Sequence, residues 1–144
     1  MVKVNLKGQE LREFDVIPRG TYRVTVDQCD DTRMSQAGYP NIFWLFKVTD
    51  VLRVQGETPE GLVGRTVMHG TSLQESALWN LYRTLLALGD DPEAIESGDF
   101  EVKPENYLGR ECVVTVNIRP YEGVDQNQIT QIRALNEQEL SKIA

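Results

Sequence analysis

Apolar and polar residues alternate most cleanly over Thr21–Asp27 and Asn41–Val48, and these two runs set the expectation of a β protein. Successive side chains of an extended chain face opposite ways. Tyr22, Val24 and Val26 therefore form one face of the first run, with Arg23 and Thr25 on the other. In the second run Ile42, Trp44, Phe46 and Val48 face inward, while Phe43, Leu45 and Lys47 face outward. An aromatic, a leucine and a lysine side by side make an amphipathic contact surface, because exposed apolar groups in a cluster call for a partner or a cover. Three covers fit: a base of single-stranded nucleic acid, a second subunit, or an arm of the chain itself.

The pattern continues through Val54, and the polar stretches Asp30–Gly38 and Gly56–Gly61 read as exposed turns. Gly64–Gly70 predicts a short third strand ended by Gly70. Ser72-Leu73-Gln74-Glu75 has the form of a capping box. Leu78, Leu81, Tyr82, Leu85 and Leu88 then recur at helical spacing, giving one apolar stripe that stops at Gly89. Trp79 and Tyr82 read as packing residues on or beside that stripe. Asp90–Asn106 is acidic and broken by Pro92, Gly98 and Pro104, which predicts a loop with one helical turn at Pro92–Glu96 and little core. Glu111–Arg119 predicts a fourth strand, with Cys112, Val114, Val116 and Ile118 inward and Val113, Thr115, Asn117 and Arg119 outward. Pro120–Asp125 turns the chain into a polar fifth strand, Asn127–Arg133.

These elements predict a mainly β domain over residues 20–135, in the order β-β-β-α-β-β. That is the order of the five-stranded oligonucleotide-binding (OB) fold, a β-barrel with one α-helix capping it between strands 3 and 4. Residues 1–19 read as an N-terminal arm able to lie over the sheet through Phe14 and Ile17, and residues 136–144 as a C-terminal tail.

A chain of 144 residues suits one domain. It carries no apolar run near the 18 or so residues that span a bilayer, and no signal-peptide pattern at Met1–Lys7. Cys29 and Cys112 lack metal-site spacing and read as free thiols of a cytoplasmic protein. Net charge is −7, which argues against coating a polyanion by bulk attraction. Arginine nevertheless outnumbers lysine, and the acids gather at Asp27–Asp31 and Asp90–Glu105, so a locally basic face stays open. The one histidine, His69, has no partner at ligand spacing, the adjacent pairs Asp30-Asp31 and Asp90-Asp91 have no base beside them, and no phosphate-binding glycine loop occurs. The expectation is a protein without enzymatic activity, metal or cofactor.

The ordered set Ile17-Pro18-Arg19-Gly20-Thr21-Tyr22, Asn41–Val48, Gly64-Arg65, Ala77–Leu81, Leu86–Gly89, Leu108–Val116 and Tyr121-Glu122-Gly123 resembles a family of small bacteriophage proteins, long catalogued only as a domain of unknown function. The resemblance runs from about residue 17 to about residue 133. It implies a single-stranded DNA-binding protein with an OB fold, encoded among phage replication and recombination genes and acting in the cytoplasm of the bacterial host. Two departures stand out: Phe43 and Leu45 occupy positions usually polar in the family, and no acidic run for recruiting replication partners closes the sequence.

Rings that stack on bases, and cations that follow phosphates, hold single strands without sequence preference. The stacking candidates are Phe43, then Tyr121 in the turn between the last two strands, then Tyr39. Lys47, Arg23, Arg65 and Arg119 on strands, with Arg33 on the first loop, are the phosphate candidates. Burial of Phe43 under the arm or in a homodimer, an ordinary turn role for Tyr121, and a solvated face for the cations are the competing assignments. The partners expected are single-stranded DNA, with a homodimer and phage replication or recombination proteins as further ones. A protein-interaction module on the same barrel is the alternative function.

Overall fold

In the structure, a computed structural model that describes residues 16–34, 38–54, 60–121 and 123–135 (Tyr121 without its side chain), burial follows the alternation over Asn41–Val48 and, Arg23 excepted, over Thr21–Asp27. Strand β1 (Gly20–Asp30) buries Tyr22, Val24 and Val26, and β2 (Asn41–Val54) buries Ile42, Trp44, Phe46 and Val48. With β3 (Thr66–Ser72), β4 (Glu111–Tyr121) and β5 (Val124–Arg133) they form one antiparallel sheet in the order β3-β2-β1-β4-β5. The sheet is not closed into the barrel that the element order predicts. Its edges β3 and β5 approach each other but do not pair among the described residues, and helix α1 (Leu78–Ala87) touches both.

Several boundaries differ from expectation, each for a packing reason. β3 runs past Gly70 because Thr71 is needed inside: its hydroxyl accepts a hydrogen bond from the buried Trp44 indole at 3.0 Å and donates to the Ile42 carbonyl at 3.1 Å. Ser72 consequently pairs with Asn41 in the sheet instead of capping the helix. Its Oγ accepts from the Gln74 N–H at 3.1 Å, a 3₁₀ turn spans Glu75–Ala77, and α1 starts only at Leu78, with no side-chain cap. Leu81, Leu85 and Leu88 are buried, whereas Leu78, at the head of the stripe, is exposed. Gly89 ends the helix at φ 100°.

The acidic stretch carries more core than predicted. It does contain a helical turn, α2 (Pro92–Glu96), capped by Asp91, but Ile95, Phe100 and Val102 pack on the core, and beyond it Tyr107 meets Trp44 edge to face at 5.3 Å. The Tyr107 hydroxyl donates to Asp90 at 2.5 Å and Arg110 pairs with the same carboxylate at 2.8 Å, which ties the two ends of the excursion together.

The turn between β4 and β5 is tighter than Pro120–Asp125: Tyr121 already pairs with Val124, and Gly123 stands at φ 80°. Val113, expected outward, is buried. It faces Arg23 across the strands, and that long side chain folds over the same face to reach Glu111. Where β1 enters, a Cβ on Gly20 would stand 2.2 Å from the Arg53 carbonyl oxygen, so only glycine allows this approach.

Just before β1, one side chain clasps both backbone groups of Ile17. Asn127 of β5 accepts from the Ile17 N–H at 2.8 Å and donates to the Ile17 carbonyl at 2.9 Å, seating Ile17 in the core. The rest of the expected arm, including Phe14, and the expected tail at 136–144 lie outside the described residues. Both thiols are free, and burial pushes Cys29 and Cys112 each up to about 12. No described helix is long and apolar enough to cross a membrane.

Candidate nucleic-acid interface

The outward face of β2 is built by register. Phe43 stands opposite Asp30 of β1 and Gly70 of β3, Leu45 opposite Gln28 and Met68, and Lys47 opposite Thr25 and Thr66. Phe43 and Leu45 are half-buried, Lys47 is exposed, and Met68 is 50% exposed. A Cβ on Gly70 would sit 3.7 Å from the Phe43 ring, so the glycine leaves one flank of that ring uncovered. The first loop covers another side: the Arg33 guanidinium lies 4.7 Å from the Phe43 ring centre. That loop is shaped by Asp30, whose carboxylate accepts from the Thr32 hydroxyl and N–H at 2.6 and 2.9 Å, bonds that hold it below the usual carboxylate range. Arg33, Phe43, Leu45 and Met68 thus rim a shallow depression of about 60 Å³.

Of the residues singled out in the sequence, Phe43, Lys47 and Arg33 come together here. Arg65 precedes β3, its carbonyl accepting from Val48 N–H at 2.8 Å, and so stands one residue from Thr66, the partner of Lys47. Tyr39 is exposed on the first loop, just before β2. Arg23 is only 8% exposed and pairs with Glu111, so its charge is spent within the sheet. Arg119 lies toward the opposite end: β1 meets Phe43 at Asp30 but meets β4 at Gly20–Val116, and Arg119 is beyond that. Along the strand this is about 30 Å. Tyr121 shares that distant end, and its side chain lies outside the described residues.

Two features escaped the sequence reading. Met68 joins the platform through pairing with Leu45, a register that alternation within one strand does not reveal. Trp79, expected to pack, is 59% exposed on α1, with the Arg83 guanidinium 5.0 Å from its ring centre. The one signal in the sequence is that Trp79 falls outside the three- and four-residue spacing that links Leu78, Leu81, Leu85 and Leu88.

Among the described residues no group of three or more His, Cys, Asp or Glu is placed to hold a metal ion. The fold and this surface define a small mainly β domain with an aromatic and cationic face. Residues 4–141 match the family described as "Protein of unknown function (DUF669)", and the chain belongs to that family. No curated protein matches it.

Proposed function

We propose that this protein binds single-stranded DNA without sequence preference and is not an enzyme, acting as a phage-type binding protein in replication or recombination in the bacterial cytoplasm. The fold on which it does so is an OB-like, partly open barrel, a reading supported by the strand order and by α1 spanning the gap between β3 and β5. The observation that carries the function is the outward face of β2 and β3, where Phe43 has one flank open at Gly70, Arg33 beside its ring and Lys47 two positions further along the same face, past Leu45. A base rests on the ring while Arg33 and Lys47 take the phosphates on either side of it.

The test is fluorescence anisotropy of labelled oligo-dT of about 30 nucleotides against the matching duplex. The single strand is expected to bind preferentially, and Phe43→Ala to weaken it roughly tenfold, the loss of one stacked base. Equal affinity for the duplex, or no effect of the substitution in a protein that still melts cooperatively, overturns the assignment. A second reading draws on the same face: Leu45 and half-exposed Met68 give it enough apolar character for a subunit or protein partner. A dimer that Phe43→Asp splits without loss of DNA binding would give the face to protein contact.

A further inference from the structure

A surface depression of about 460 Å³ and another of about 340 Å³ adjoin along β5 and α1, sharing Arg83, Gln131 and Ile132. A third, of about 610 Å³, continues from them through Thr115 and Thr130 onto the outer face, where Arg19 and Arg53 line it. No Asp or Glu lines any of the three among the described residues, although the protein has 22 acids and a net charge of −7. Arginines stand along its whole length. Arg19, Arg53 and Arg83 form no ion pair among the described residues; Arg19 bonds only the neutral Asn117 side chain and the Ile118 carbonyl. Trp79 stands at one end of the track, its ring largely in solvent and flanked by Arg83.

We infer that this acid-free track is a second binding site for single-stranded nucleic acid, in which Trp79 stacks a base and the arginines follow the phosphates. The inference rests on the proposed single-strand binding and extends it to a surface distinct from Phe43. Charge selects this occupant over a protein segment: Arg19, Arg53 and Arg83, unopposed by any carboxylate among the described residues of an otherwise acidic molecule, mark where a polyanion is tolerated. Gln128, Thr130 and Gln131 add neutral hydrogen-bonding groups suited to sugar and base edges. The track meets the platform at β3, since Met68 rims the platform depression and the next residue, His69, lines the track. One strand can therefore cross the edge of the sheet from Phe43 to Trp79.

The two tryptophans make the test direct, because Trp44 is wholly buried and Trp79 is 59% exposed. Titration with oligo-dT of about 30 nucleotides, followed by tryptophan emission and by anisotropy of a labelled copy, should quench the wild-type emission in step with binding. Trp79→Phe, which keeps a ring, should bind with no quenching, and Trp79→Ala should bind about tenfold more weakly. Binding by anisotropy without quenching, and with unchanged affinity in Trp79→Ala, overturns the track and leaves the Phe43 face standing. No binding by wild type at low salt overturns both. Because Trp79 is exposed, neither substitution removes core, and unchanged thermal midpoints confirm that the comparison is between folded proteins.

Discussion

His69 shows how much one side chain can settle. Its Nε2 lies 3.3 Å from the Thr84 hydroxyl, and that hydroxyl already donates to the Asn80 carbonyl at 3.0 Å, so its single hydrogen is committed. Nε2 must then carry the proton and donate, which fixes the neutral tautomer and ties β3 to α1. Burial drives the imidazole down to about 4. Between its ordinary value of 6.5 and about 4 the unfolded chain binds a proton that the folded chain refuses. Stability is therefore full above about pH 6.5 and falls as pH drops through this window, by about 2 kcal/mol from pH 7 to pH 5. Urea unfolding of wild type and His69→Gln at those two pH values checks this; the variant should lose most of the difference, and an equal difference in both would assign the pH dependence to carboxylates. At this scale the sequence spoke unevenly. It showed His69 only as a histidine without a partner at ligand spacing, not as the link from β3 to α1, and Arg23 could be seen as ion-paired only once β4 brought Glu111 alongside, 88 residues away.

Among the elements, β1 and β2 were legible because a one-sided strand must alternate, and Tyr22 to Val26 and Ile42 to Val48 do. The start of α1 was not, because Ser72 had two uses and strand pairing with Asn41 took precedence over capping. The core role of Phe100, Val102 and Tyr107 was hidden for a different reason: isolated apolar residues in an irregular segment have no period to read. Nothing local announced the Asn127 clasp on Ile17, which joins positions 110 residues apart. Its two part-buried hydrogen bonds make a prediction at this scale: Asn127→Ala should cost about 2 kcal/mol, leaving the Ile17 N–H and carbonyl without their partners. Hydrogen exchange at the Ile17 amide should quicken far more than at the β1 and β2 amides. Uniform quickening would instead mean that the clasp is part of the global fold.

For the whole molecule, charge sets the expected solution behaviour. Three or four phosphate contacts by an acidic protein predict an affinity for oligo-dT that falls with salt at a log–log slope of about −2 to −3, shallower than for a strongly basic protein. Anisotropy between 50 and 300 mM salt measures it, and a slope near zero would leave stacking as the only attraction. The order of elements was readable from sequence, and so was the absence of a bulk basic composition. The open seam between β3 and β5 was not, since whether edges meet depends on the coil of the whole sheet. The arginine track was equally hidden, being assembled from all five strands and α1. The central place of β1 also bears on how the chain reaches this state. Its partner on one side, β2, follows after a short connection, whereas its partner on the other, β4, arrives only after β3, α1 and the acidic excursion have been laid down. Closing so long a loop is the slow event. Until it happens β1 waits with one rail of backbone donors and acceptors vacant, so the time in which this chain is most open to wrong pairing lies in the middle of its folding.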